Sequence, residues 1–300
     1  MQKILNSKFS VHLSILIGKS MPQKMGDWFI KSISSVIGSL KNLDITSSIR
    51  SNQYVVSGGT LSDLELAQRT KQVLSHAGRC YYDLYHYYDM QEKIDKIVPW
   101  SETMTEFVNL SREDQGYLVV APHLSNFDLV VARLVRGGFE GKVLSYPNPG
   151  SGYQLQNEIR KSLGMDLIPL GDSSLETEIV DYLKAGGIVA TGVDRPVTSR
   201  KKRHYSKLFG RPSPLPLGYI TTAIAADVPI IVVAAFMRPD GSYGLRLSKP
   251  IMLIKYGNKL DDILLNAERV LKKIEEFIKL APEQWLMYYP VWPDQMIEDR

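Results

Sequence analysis

The segment Gly116-Tyr-Leu-Val-Val-Ala-Pro-His123-Leu-Ser-Asn-Phe-Asp128-Leu-Val-Val-Ala-Arg-Leu-Val-Arg136 reads as a strand, a loop and a helix in succession. The apolar run 117–121, bounded by Gly116 and Pro122, is a buried strand. Residues 129–136 carry helical spacing and are closed by Gly137-Gly138. Five helical steps of about 100° leave two residues ~140° apart, so His123 and Asp128 cannot share a helical face. They can meet if His123 lies in the loop and Asp128 in the first helical turn. Asp128 is then expected to accept the imidazole N–H and fix its tautomer, freeing the other ring nitrogen to take a proton from a bound hydroxyl. The same residues also read structurally, because Ser125-Asn-Phe-Asp128 has the form of a capping box and its carboxylate suits a helix N-terminus. The carboxyl end of a strand is, in addition, where open α/β sheets bind ligands.

Downstream the pattern repeats. Strands are expected at 142–146, 166–170, 188–193, 228–236 and 243–248, with helices at 126–136, 153–163, 173–185 and 215–226 and a last amphipathic helix near 260–280. Ser173-Ser-Leu-Glu176 is a second capping box. Alternation of this kind predicts an α/β fold, a mostly parallel central sheet flanked by helices. Upstream, residues 1–110 read as a helical N-terminal extension that associates with membrane, and 111–300 as the α/β core. Pro22 opens a helix on which Met25, Trp28, Phe29, Ile33, Val36, Ile37 and Leu40 form one apolar stripe, suited either to packing on the protein or to lying on a bilayer. Ser62-Asp-Leu-Glu65 caps a further helix running toward Gly78.

The chain has 300 residues and is 44% hydrophobic, enough for a full core. A net charge of +4 is too small to argue for nucleic acid and fits an anionic surface or substrate. The single cysteine, Cys80, excludes an intrachain disulfide and a cysteine-rich metal site. No run approaches the ~20 apolar residues of a membrane span. Lys3, Lys8 and the short Ile15-Leu-Ile17 lack the form of a signal peptide. G-x-S-x-G, H-E-x-x-H, Walker and G-x-G-x-x-G motifs are absent.

Three further positions are candidates. Arg160 falls late in a helix, where it is a dipole-complementing surface cation or an anchor for a phosphate or developing oxyanion. Asp194-Arg195 ends the hydrophobic strand Ile188–Val193, as a structural ion pair or as part of a site. Arg200-Lys-Lys-Arg203-His204 with Lys207 is the densest basic cluster, in what reads as a long loop. It would attract phosphorylated donors, an acidic carrier protein or anionic lipid.

Taken in order, these elements resemble the acyltransferases that carry an H-x4-D/E motif, in the branch containing the lipid A late acyltransferases and the phosphatidylinositol mannoside acyltransferases. The matching pieces are His123-x4-Asp128, the helical first third, Arg160 before Leu163-Gly164, and Asp194 at a strand end. Phe209-Gly210 before a Pro-rich turn, Gly218, and Pro282-Glu-Gln-Trp285 before an aromatic tail complete the set. Two departures stand out. The positions just before Phe209-Gly210, Arg203-His204-Tyr205-Ser206-Lys207, hold no carboxylate where the family often has one, and the tail reads Tyr288-Tyr-Pro-Val-Trp-Pro instead of a His/Arg-rich ending. The resemblance implies a monomeric, membrane-peripheral O-acyltransferase on the cytoplasmic side of the cell membrane. It would use acyl-CoA or an acyl carrier protein as co-substrate and a glycolipid hydroxyl as acceptor, with no metal or redox cofactor and no nucleic acid. His123, near its reference pKa of ~6.5, is the expected base and Asp128 its partner, with Arg160, Asp194, Arg195 and Arg203 on substrate. A lysophospholipid acceptor, or a non-catalytic lipid-binding protein of the same fold, are the alternatives.

Overall fold

The computed structural model describes residues 19–146, 150–171, 175–197 and 204–293. Among the described residues the first full elements are helices: α1 (Gln23–Ser39), α2 (Asp44–Val56), α3 (Asp63–Tyr87), α4 (Gln91–Ile97) and α5 (Glu102–Leu110). The α/β part follows as β1 (Tyr117–Ala121), α6 (Phe127–Arg136), β2 (Lys142–Ser145), α7 (Ser151–Ser162), β3 (Asp166–Pro169), α8 (Leu175–Lys184) and β4 (Ile188–Gly192). It ends with β5 (Ser206–Leu208), β6 (Arg211–Ser213), α9 (Gly218–Ala226), β7 (Ile230–Met237), β8 (Tyr243–Leu247) and α10 (Lys259–Leu280). The chain is therefore α/β, with a helical N-terminal segment and a mostly parallel sheet.

Six strands form that sheet in the order β3-β2-β4-β1-β7-β8, all parallel except the antiparallel β7–β8 edge pair. Both faces are covered, which is why the strands read as continuous apolar runs. Leu118 and Val120 of β1 enter a core with α8, α9 and α10, while Tyr117 and Val119 enter a second core with α3 to α7.

The six expected strands are all present. Residues 206–213 differ from the expected loop: β5 and β6 pair antiparallel around Phe209-Gly210. The hairpin is pinned where the Phe209 N–H donates to the buried Glu275 at 2.6 Å. The Ser62–Glu65 capping box is formed. The expected box at Ser125–Asp128 is not: Asn126 caps α6, accepting from the Leu129 N–H at 3.3 Å. Ser173 and, of the basic run, Arg200 to Arg203 lie outside the described residues, as do residues 1–18.

Helix α1 packs against α3 by its small face. A β-carbon on Gly26 would lie 2.6 Å from the Tyr82 ring, and one on Gly78 would lie 2.7 Å from Ile30, so the two backbones approach as only glycine permits. The large residues of the stripe point outward instead: Trp28 is 71% exposed and Val36 64%, with Met25, Phe29, Ile33 and Leu40 also exposed. Ile37 alone of the stripe packs inward, against Ile49, Val73 and Leu74.

The aromatic tail is bound by side-chain amides that read its backbone, as buried chain outside regular structure requires. Asn52 of α2 donates to the carbonyls of Met287 (3.2 Å) and Tyr289 (2.8 Å) and accepts from the Val291 N–H (3.0 Å). Gln53 donates to the Pro282 carbonyl at 2.8 Å.

Candidate active site

β1 and β4 are parallel neighbours in the register Ala121↔Gly192. Two residues further along each chain stand His123 and Asp194, side by side at the carboxyl end of the sheet. Parallel neighbours lie ~4.8 Å apart, within reach of a short carboxylate and an imidazole. Asp194 takes both donors that His123 presents: its backbone N–H at 2.8 Å and its ring Nδ1 at 2.5 Å. The Trp285 indole N–H adds a third bond to the same carboxylate at 2.7 Å.

This corrects the expected pairing. Asp194, not Asp128, holds the imidazole. Asp128, in the first turn of α6, faces α7, where Arg160 grips it through Nε (2.7 Å) and Nη2 (3.3 Å), both side chains buried. Arg160 Nη1 goes to Asn157 at 3.0 Å, and its guanidinium lies over the Phe127 and Tyr153 rings. Arg160 thus sits behind the loop as the clamp of Asp128, with its charge still felt at His123.

The electrostatics follow from burial set against pairing. Asp194 is fully buried, which by itself would raise its carboxyl. The His123 charge and the three hydrogen bonds outweigh burial and hold it below the usual carboxylate range. At His123, burial pulls the imidazole down and Arg195 and Arg160 pull the same way, but Asp194 dominates and raises it above its ordinary value. It therefore does not keep the reference value expected from the sequence. With Nδ1 bound to Asp194, Nε2 is the ring nitrogen left for a substrate proton.

The tail completes the loop. Leu124 bridges antiparallel to Trp285, Leu286 donates to the His123 carbonyl at 2.8 Å, and Ser125 donates to the Gln284 carbonyl at 3.0 Å. The Gln284 amide closes the end of β7, bonding both the N–H and the carbonyl of Met237. The sequence marked Pro282–Trp285 as a motif without giving it a task; its task is to pair with the histidine loop.

Gly192 has the imidazole on one side, where a β-carbon would stand 2.9 Å from Cε1 and 3.5 Å from Nε2. It also lines a mainly apolar cavity of about 300 Å³, walled by Leu118, Leu144, Leu175, Ile179 and Tyr219. Beside the pair, Arg195 lies over the rings of Tyr289 (4.2 Å) and Tyr146 (5.3 Å) and donates to the Tyr289 hydroxyl at 2.8 Å. Among the described residues there is no cluster of His, Cys, Asp and Glu suited to a metal ion and no helix long and apolar enough to cross a membrane.

One family, described as bacterial lipid A biosynthesis acyltransferase, matches residues 15–293. No curated protein matches the chain individually.

Proposed function

The chain belongs to the bacterial lipid A biosynthesis acyltransferase family, and on that premise we propose a membrane-peripheral O-acyltransferase that moves a fatty acyl chain from a thioester, acyl-CoA or acyl carrier protein, to a hydroxyl of a lipid A- or phosphatidylinositol mannoside-like glycolipid. Family membership indicates an acyltransferase and favours the catalytic reading over a non-catalytic lipid-binding protein of the same fold. The observation that carries the finer reading is the His123–Asp194 pair beside an apolar cavity, with Gly192 both against the imidazole and in the cavity lining.

Nε2 of His123 takes the proton of the acceptor hydroxyl, and the buried Asp194 carboxylate stabilises the imidazolium that forms. The alkoxide attacks the thioester carbonyl. The tetrahedral adduct collapses, the C–S bond breaks, and the imidazolium returns its proton to the departing thiolate. Arg160, whose charge reaches His123, is the candidate for stabilising the oxyanion through space. The cavity suits the acyl chain, and at about 300 Å³ it lies at the small end of ligand pockets. Arg195, set between two tyrosines, suits a phosphate of donor or acceptor. Arg203, by its charge alone, is a further candidate for an anionic substrate.

Residues 1–110 serve as the membrane-associating region and 111–300 as the acyltransferase core in this reading. The outward face of α1 supports membrane docking, because an exposed apolar stripe with Trp28 at its edge is the form of an interfacial helix. The cytoplasmic side follows from where soluble thioester donors are held.

Acyl transfer from both thioester donors, assayed with glycolipid and lysophospholipid acceptors, tests the reading. Wild type acylates the glycolipid, and His123→Ala loses ~10²–10⁴ of the rate with an unchanged circular dichroism spectrum. A folded His123→Ala protein of undiminished turnover overturns the mechanism, and transfer to the lysophospholipid alone overturns the acceptor class.

A further inference from the structure

We infer that His76 of α3 is a positioning residue for the catalytic loop: it tethers Ser125 in a left-handed backbone conformation and so fixes where His123 stands. The inference rests on His123 being the base.

Ser125 has φ 50°, in the region that side chains of L-residues adopt reluctantly. The fold needs that turn there. Up to Leu124 the chain pairs antiparallel with the tail, and one residue after Ser125 it caps α6 through Asn126. Something must hold a non-glycine residue in this state. The Ser125 hydroxyl lies 3.0 Å from His76 Nε2, and Ser125 is 1% exposed, so its oxygen is not offered to substrate.

The next residue is held from the same helix. Asn126 donates to the Cys80 carbonyl at 3.0 Å, and the Cys80 sulfur lies 3.5 Å from His76 Nε2, one turn along α3. Burial, reinforced by the charge of Arg79, pushes His76 down to about 4, so the ring is neutral at physiological pH. A neutral imidazole pairs with a hydroxyl without adding to the cations, Arg160 and Arg195, already felt at His123.

The leverage on His123 runs through the backbone. The Ser125 N–H and the His123 carbonyl are both bonded to the tail, at Gln284 and Leu286. A change of direction at Ser125 therefore breaks the register that sets the imidazole against Asp194.

The test is a double-mutant cycle on the full chain with a thioester donor and glycolipid acceptor. His76→Ala is expected to lower kcat by roughly 10- to 100-fold, the scale of a misplaced catalytic group, with KM for both substrates unchanged. His76→Gln, which keeps a polar side chain, is expected to lose less. Ser125→Gly placed in the His76→Ala background is expected to recover most of the lost kcat, because glycine takes a positive φ without a tether. The two changes are then strongly non-additive. Additive effects, or a fall in melting temperature with kcat intact, overturn the inference. If His76→Ala does not fold, the same contact is read from the other side: Ser125→Ala must lose more kcat than Ser125→Gly, and equal losses overturn it. A wild-type chain that transfers no acyl group overturns the proposed function instead. A wild type that turns over while the cycle is additive overturns this inference alone.

Discussion

Gly192 and His123 are in contact with no space for a methyl group between them: a β-carbon on Gly192 would stand 2.9 Å from the imidazole Cε1. The strand end is cut back so that the ring can lie across it with its other edge against Asp194. Gly192→Ala must tilt the ring off the carboxylate. We expect turnover to fall by about 10- to 100-fold while the melting temperature changes little, measured by steady-state kinetics and a thermal melt. Full activity in this variant means that the ring has room to move.

Asp194 and Asp128 separate by pH profile. A base must be neutral to act, so an imidazole raised by its carboxylate gives an acid limb above the ordinary histidine value of ~6.5. Asp194→Asn removes the anion that raises it, so the limb shifts to lower pH while kcat falls by ~10²–10⁴. Asp128→Asn keeps the Asp194 contact and moves the limb less. It strands the buried Arg160 guanidinium and should cost about 3–5 kcal/mol of stability, read by urea denaturation. A limb that moves only in the Asp128 variant reverses the two assignments.

Trp285→Phe keeps most of the buried ring and deletes the N–H that reaches Asp194. Hydrogen bonds to charged groups contribute about 1.5–3 kcal/mol. The depressed Asp194 carboxyl contributes stability above its unfolded value of ~3.9 and loses it as pH falls through the folded value. Without the indole donor the folded value rises, so acid unfolding begins at higher pH. Circular dichroism across an acid titration measures it; coincident curves for the two proteins count against the bond.

Trp28→Glu together with Val36→Glu alters only exposed positions of α1. Stability should stay within ~0.5 kcal/mol of wild type, while sedimentation with anionic liposomes drops and keeps dropping with salt. Undiminished binding assigns membrane contact elsewhere.

Much of the fold is legible locally. The central strands β1, β4 and β7 are apolar runs bounded by turn residues, and Ser62–Glu65 announces the start of α3. The 206–213 hairpin is hidden because its three-residue strands, with Pro212 in one, carry no alternation. His123 and Asp194 are each visible as chemistry at a strand end, but their partnership depends on β4 lying beside β1, which no local pattern encodes. The five-residue spacing to Asp128 suggested a nearer partner, and that carboxylate is claimed by Arg160 from the next helix. The stripe on α1 was legible as apolar. Which way it faces was decided by the small residues, since Gly26, Ser34 and Gly38 are the ones buried. His76 carried no signal at all, because its role is defined by the backbone angle of a residue 49 positions away.

The bond from Trp285 to Asp194 joins residues 91 positions apart, and it sets an order of events during synthesis. A nascent chain that has already released β1 and β4 has an imidazole and a carboxylate at hand but lacks the indole that steadies the buried charge and the strand segment that fixes the histidine loop. Domains fold as their sequence leaves the ribosome, yet this site waits for a segment made long after its two reacting groups. A polypeptide cut short before residue 282 carries both of them without the indole and the paired segment that hold them in place, so the pair is completed only once Trp285 has been made.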